Sequence, residues 1–284
     1  MKGFIYPTIC KFVKIASTKF LEKLVIIPTY NEKENIVSII DAVFSLHQNY
    51  HILIIDDGSP DGTADLVKSL YNKYPEQLFL VERKGKLGLG TAYIHGFRWA
   101  LDNGYQFIFE MDADFSHNPK DLESLYMAAK NGAGVAVGSR YVKGGAVANW
   151  PANRIALSKG ASIYTRIITS MPVRDPTAGF VCYRRGFLET INLSEIFFVG
   201  YAFQIEMKFA AWKLGFKISE VPITFIDRRL GDSKMNKGII KEGVLGVLKL
   251  RWMSMFKNYR KKVKNAYPND SVTYSKPEVM TQSK

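Results

Sequence analysis

Acidic side chains stand directly after three apolar runs of this chain, and that placement is the first sign of chemistry. Residues 24–27 lead into Pro28-Thr29-Tyr30-Asn31-Glu32, residues 51–55 into Asp56-Asp57-Gly58-Ser59-Pro60-Asp61-Gly62-Thr63, and residues 107–111 into Asp112-Ala113-Asp114. Asp, Asn, Gly and Pro are also ordinary turn and cap residues, and for Asp61, Gly62 and Asp65 that role is a sufficient account. It serves less well for Glu32, Asp57, Asp112 and Asp114 as a set. Carboxylates gathered on one edge repel one another, and a divalent cation or cationic ligand is the usual compensation. Two carboxylates one residue apart can present oxygens to Mg2+ or Mn2+, an ion that keeps waters and takes its other ligands from phosphates. An isolated Asp-x-Asp is common, so its meaning depends on the elements that carry it.

Other signals carry less. The run Gly85-Lys86-Leu87-Gly88-Leu89-Gly90-Thr91 looks like a phosphate loop but lacks the G-x-x-x-x-G-K-[ST] spacing. His47, His51, His95 and His117 show no zinc spacing, and none is assigned catalysis.

The elements that must position the carboxylates follow from periodicity. Ile36, Ile39, Ile40, Val43 and Phe44 recur at helical spacing after the first apolar run. The same alternation predicts strands at 51–55, 78–81, 107–111 and 134–137, with helices at 63–74, 91–103 and 121–130. Such alternation implies crossover connections and a mainly parallel sheet covered on both faces, whose ligands bind at the carboxyl ends of the strands.

Composition sets the bounds. The chain has 284 residues, 47% hydrophobic, with 18 Phe and 15 Tyr, which excludes wholesale disorder. Two distant cysteines, Cys10 and Cys182, can build neither a disulfide framework nor a Cys-rich zinc site, and they suit a reducing compartment. The net charge of +13 is uneven: residues 228–264 hold twelve Lys or Arg against Asp232 and Glu242, and residues 1–23 hold five Lys against Glu22. The intervening chain is nearly neutral, so two flanks carry the field. In residues 244–256, VLGVLKLRWMSMF, basic and large apolar side chains interleave, which suits an anionic membrane surface better than nucleic acid. A core helix with a solvated basic end is the plainer alternative. Lys249 and Arg251 interrupt the best apolar run, so no transmembrane helix is expected. At the N-terminus Ile9, Phe12, Val13, Ala16 and Phe20 fall near one helical face, beside Lys11, Lys14 and Lys19. The expected organisation is a basic amphipathic segment at 1–23, a catalytic domain at 24–234, basic amphipathic interface helices at 235–264 and a flexible tail at 265–284.

Read in order, the stretches IPTYNEKENI, IIDDGSPDGT, GKLGLGTAYIHGF, DADFSHNP, GSRYVKGG, DPTAGF, GYAFQIEM and DRRLGDSK resemble the inverting family 2 nucleotide-sugar glycosyltransferases, and among them the dolichol-phosphate mannosyltransferases. The resemblance spans residues 24 to about 240 and implies a GT-A fold, a single Rossmann-like α/β domain with a mainly parallel sheet. It makes Pro28, Tyr30, Glu32, Ile55 and Asp57 the nucleoside pocket and Asp112, Ala113 and Asp114 the diphosphate and metal element, with Mg2+ or Mn2+ as the ion. Arg140 resembles the family arginine of the donor site, and Arg228 and Lys234 correspond to a cationic pair that reaches the phosphates. Many relatives have Gln two residues after the second Asp, where this chain has Ser116. Gln204 and Glu206 fall near the sugar or acceptor, and Glu206 serves equally well as a structural partner.

The reaction implied by the resemblance is mannosyl transfer from GDP-mannose to dolichyl or another polyprenyl phosphate, with inversion. Asp112, Asp114, Arg228 and Lys234 are its candidate catalytic residues. The enzyme would be peripheral, at the cytosolic face of the endoplasmic reticulum in a eukaryote or of the plasma membrane in a prokaryote, and no nucleic-acid partner is expected. Members without transmembrane helices can depend on small membrane subunits. A polyprenyl-phosphate transferase using UDP-glucose is the nearest rival. A nucleic-acid-binding module and a silent nucleotide-sugar-binding protein are the rivals from other classes.

Overall fold

The computed structural model describes residues 22–227 and 237–261, with side chains of the second stretch from residue 243. The expected segments at 1–21 and 265–284 therefore lie outside the described residues, as do Arg228 and Lys234.

Strand β1 (Lys23–Thr29) begins one residue inside the expected N-terminal segment and is buried along nearly its whole length. A strand buried on both faces needs cover on both, and its alternating side chains divide between two cores. Leu24 and Ile26, with Leu53 and Ile55 of β2 (His51–Asp56), face one core, while Val25, Ile27, Ile52 and Ile54 face the other. The second core is closed by α1 (Ile36–Phe44), α2 (Thr63–Ser69) and α4 (Asp121–Lys130), whose buried apolar residues recur at helical spacing. Helix α2 ends five residues before the expected Tyr74. The first core is closed by α3 (Leu89–Asp102), α6 (Arg185–Thr190) and α7 (Ala202–Lys213).

With β3 (Leu78–Glu82), β4 (Phe107–Glu110), β5 (Val135–Ser139), β7 (Val181–Arg184) and β8 (Ile218–Pro222) the sheet has seven strands in the order β3-β2-β1-β4-β7-β5-β8. Its pairs are parallel except those of β7, which runs against both β4 and β5. Sequence periodicity did not single out β7. Because it is reversed, its first residue lies at the edge where β1, β2, β4 and β5 end, and the segment before it enters the ligand side. A two-stranded parallel sheet of β6 (Ala146–Ala148) and β9 (Thr224–Ile226) stands beside that edge.

Helix α5 (Ala152–Thr169) joins these sheets. Among the described residues of the expected C-terminal interface region lies helix α8 (Lys237–Met253), followed by turns and extended chain to Lys261. It packs through Val247 and Leu250. Among the described residues no helix is long and apolar enough to cross a membrane.

Glycine 96 lets α3 lie close on the sheet: a Cβ there would meet Ile26 Cδ1 at 2.8 Å, Ile26 Cγ2 at 2.9 Å and Ile55 Cδ1 at 3.0 Å. Both isoleucines are fully buried and have nowhere to move. Gly to Ala inside a helix ordinarily stabilises by about 1 kcal/mol. Here Gly96→Ala is expected to destabilise by about 1–3 kcal/mol through overpacking, read as a lower urea midpoint with an unchanged m-value.

Candidate functional site

Pro28, Tyr30, Glu32, Asp57, Asp112, Ala113, Asp114 and Arg140 all line one cleft of about 310 Å³ at the carboxyl edge of the sheet. Ile55 does not. Its position in β2 points its side chain inward, where it is fully buried in the first core.

The loops after β1 and β2 are laced together. Successive backbone N–H groups of Asn31, Glu32 and Lys33 donate to Ser59 Oγ (3.0 Å), Thr63 Oγ1 (3.1 Å) and Asp61 Oδ2 (3.1 Å). Asp61 also accepts from Thr63 N and Oγ1, confirming its turn role. Asp56 turns away from the cleft and is held by Thr29 and Ser59. Asp57 faces the cleft, and Arg83 donates to it from Nε at 2.6 Å, with Nη2 at 2.5 Å. Arg83 was not legible as a site residue, yet it supplies the compensation that the clustered carboxylates require. Lys86, also on the lining, stands 4.9 Å over the Tyr30 ring.

The Asp112–Asp114 turn sits at the middle of the cleft. Asp114 is buried and its Oδ1 accepts from Ser116 N at 3.0 Å, while the Asp112 side chain is 42% exposed. Buried His117 accepts from Asp112 N through Nδ1 at 3.4 Å and stacks on Phe180. Burial lowers its pKa to about 4, so the ring is neutral. Among the described residues no cluster of three or more acidic, His or Cys side chains could hold a metal by itself. Two hard carboxylates with room for foreign oxygens fit Mg2+ or Mn2+ carried in with a phosphate, and do not fit a tightly caged structural ion.

The far wall carries two arginines, each paired with a carboxylate. Arg140, which follows β5, is buried and locked to fully buried Asp175 through Nε (2.7 Å) and Nη2 (2.6 Å), with a further bond from Nη2 to Thr177 Oγ1 at 2.9 Å. Charge pairing with Asp175 keeps the guanidinium firmly protonated despite burial. Arg154 lies 3.9 Å over the Trp150 ring and pairs with Asp227 Oδ2 at 2.9 Å, and both Arg154 and Trp150 line the cleft. Neither drew notice in the sequence, because nothing local marks an arginine at the start of a helix. Buried Trp150 Nε1 has no hydrogen-bond partner.

Beneath the floor runs α7, buried from Ala202 to Ala211. Its polar residues divide. Gln204 lines the cleft, whereas Glu206 is structural: Oε2 accepts from Phe197 N and Phe198 N, and Oε1 from Lys257 Nζ. Lys208 donates to Ala178 O at 2.6 Å and to Gln204 O and Oε1. Burial lowers the Lys208 pKa to about 8 and raises that of Glu110 to about 8. Gln204 helps to hold Glu110 down, yet Gln204 Nε2 and Glu110 Oε1 make no hydrogen bond of ordinary geometry.

A mainly parallel sheet with an acidic turn at its central strand end and a cleft across the edge is a GT-A fold. Solved structures agree on the fold. Mannosyl-3-phosphoglycerate synthase from Rubrobacter xylanophilus superposes with a TM-score of 0.61 at 17% identity, covering 86% of this chain and 79% of that one. Glucosyl-3-phosphoglycerate synthase from Mycobacterium tuberculosis, in complex with Mn2+, UDP and glucosyl-3-phosphoglycerate, gives 0.60 at 18%, covering 81% and 79%. The chain belongs to glycosyl transferase family 2, whose profile matches residues 24–191. It is similar to the polyprenol monophosphomannose synthase of Mycolicibacterium smegmatis, 48% identical over 79% of this chain and 84% of that protein. The undecaprenyl-phosphate mannosyltransferase of Micrococcus luteus is 43% identical over 81% and 93%. The dolichol-phosphate mannosyltransferase of Pyrococcus furiosus is 39% identical over 80% of this chain, which spans 63% of that longer protein.

Removing Asp175 would strand the buried Arg140 charge. Asp175→Ala is expected to destabilise the fold by about 3–5 kcal/mol, measured by urea unfolding, whereas Asp65→Ala on the surface should change stability by less than about 0.5 kcal/mol.

Proposed function

We propose that this chain transfers mannose from GDP-mannose to the phosphate of a polyprenol such as dolichol, with inversion, releasing GDP. The observation that carries the reading is one cleft that joins an acidic turn, suited to a metal-bound diphosphate, to a wall of two arginines suited to a second phosphate. The names of the relatives supply mannose and the polyprenyl acceptor.

The donor would lie with its base between Tyr30 and Asp57 and its diphosphate at Asp112 and Asp114. Mg2+ or Mn2+, held by those carboxylates, supplies charge neutralisation to the leaving GDP. Arg140 and Arg154, each held by a carboxylate, would turn their remaining N–H groups to the acceptor phosphate. A phosphate monoester, with its second pKa near ~6, is already anionic at pH 7, so no strong base is required. Its oxygen attacks the anomeric carbon in line as the bond to GDP breaks and the electron pair leaves with GDP. Arg228 and Lys234 are proposed as further cations for the diphosphate.

The acceptor is a membrane lipid, and one face of the protein suits its membrane. Helix α5 is turned inside out: Ser162, Thr165 and Thr169 are buried, their hydroxyls donating to carbonyls four residues back, while Leu157, Ile163 and Ile167 are exposed. Helix α8 packs beside it, with Tyr164 OH donating to Val244 O at 3.0 Å. It exposes Leu245, Leu248 and Trp252 together with Lys249 and Arg251, and Met255 and Phe256 follow. Apolar side chains mixed with bases suit an anionic interface. The enzyme would work peripherally at the cytosolic face of its membrane, alone or with small membrane subunits.

Protein in polyprenyl-phosphate vesicles is expected to release GDP from GDP-mannose only with lipid and a divalent cation. Asp114→Asn should lower turnover at least about 100-fold, and chelation should abolish it. Turnover of UDP-glucose in place of GDP-mannose would overturn the mannose assignment. In a sedimentation assay, Trp252→Ser with Phe256→Ser should weaken partition onto anionic vesicles by roughly tenfold or more; unchanged partition would overturn the membrane face.

A further inference from the structure

Helix α7 carries a lysine where packing alone would place an apolar side chain. Lys208 is fully buried, between Met207 and Phe209, which are buried as well. An ammonium out of water is costly unless each of its donors meets an acceptor. Here the count closes. An ammonium has three donors and no acceptor, and Lys208 Nζ donates to Ala178 O at 2.6 Å, Gln204 O at 3.1 Å and Gln204 Oε1 at 3.3 Å. The shortest of these bonds leaves the helix for the cleft wall.

Ala178 ends a turn that begins at Asp175, with Ala178 N donating back to Asp175 O at 3.3 Å. Glu220 of β8 holds the first end, accepting from Arg174 N at 2.8 Å and Asp175 N at 2.9 Å. Lys208 holds the last end. Between the two pins sit the groups that orient Arg140: Asp175 accepts from its Nε and Nη2, and Thr177 Oγ1 accepts from Nη2. Nε and Nη2 are thereby occupied, while Nη1 makes no hydrogen bond among the described residues. The direction of Nη1 is therefore set by the place of the turn. Arg140, Thr177 and Ala178 line the cleft, whereas Lys208 has no exposed surface and touches no ligand.

We propose that Lys208 is a positioning residue: by holding Ala178 O it fixes the 175–178 turn and so aims Arg140 Nη1 at the acceptor phosphate. The inference rests on the reading above that Arg140 meets this phosphate, and adds to it the buried residue that sets its direction.

The test is a double-mutant cycle on the full chain, with Lys208→Met, Arg140→Lys and the two combined. It reads mannosyl transfer to polyprenyl phosphate in vesicles and, separately, equilibrium binding of GDP with Mn2+. Lys208→Met is expected to lower kcat/KM for the lipid about tenfold or more, with GDP affinity within about twofold of the parent. Arg140→Lys keeps a cation beside Asp175 but has no Nη1, and in that background Lys208→Met should lower transfer by less than about twofold further. Should Lys208→Met not fold, Lys208→Gln, uncharged but still a donor, goes through the same cycle with a loss of about threefold expected. Unchanged transfer would overturn the inference. So would equal losses in both backgrounds, or a loss of GDP binding that matches the loss of transfer, each of which would mark Lys208 as merely structural. A parent chain that binds GDP but shows no lipid-dependent transfer would bring down the acceptor reading, and the inference with it.

Discussion

Everything in this protein follows from a sheet buried on both faces. β1 and β2 spend their side chains on two cores, leaving no polar surface along the strands. Groups that must meet water or a ligand are displaced to the strand ends, and the parallel register gathers those ends on one edge. The site is thus a by-product of covering a sheet, and its carboxylates are brought together by topology before any ligand arrives.

Gathering carboxylates has an electrostatic cost, which the protein offsets internally as well as through any bound ion. Arg83 neutralises Asp57, Thr29 and Ser59 hold Asp56, and Asp175 pairs with Arg140. The Asp112–Asp114 turn and the paired Arg140 and Arg154 all line the cleft. Charges fixed in a poorly solvated cleft act more strongly than the same charges in water and need no reorganisation when the reacting groups arrive.

Helix α7 is buried along most of its length and carries polar side chains into the core. Gln204 looks into the cleft, Lys208 holds the Gln204 amide and the Ala178 carbonyl, and Glu206 clamps the 197–198 loop to Lys257 beyond α8. The loop in turn reaches the cleft, since Val199 O accepts from Gly90 N at the start of α3. Hydrogen bonds thus tie the 197–199 segment to Lys257 through Glu206 at one end and to the start of α3 at the other.

The alternation of strands and helices from 24 to 139 and the edge carboxylates were legible in the sequence, because periodicity and turn chemistry are local, whereas Arg140 entered only through the family resemblance. The C-terminal region was read as amphipathic helices at 235–264, and α8 is the helix among the described residues there. Only the tertiary structure decided the rest. Periodicity speaks of burial, not of the face buried, and the Ile55 side chain, which the resemblance placed at the nucleoside pocket, lies in the core. The reversed β7 carries no signal of direction in four residues. Arg83 and Asp57 are 26 residues apart, and Arg140 and Asp175 are 35 apart. Ion pairs at such separations exist only once the sheet has placed their strand ends side by side, so the carboxylates could be read from the chain while the cations that balance them could not.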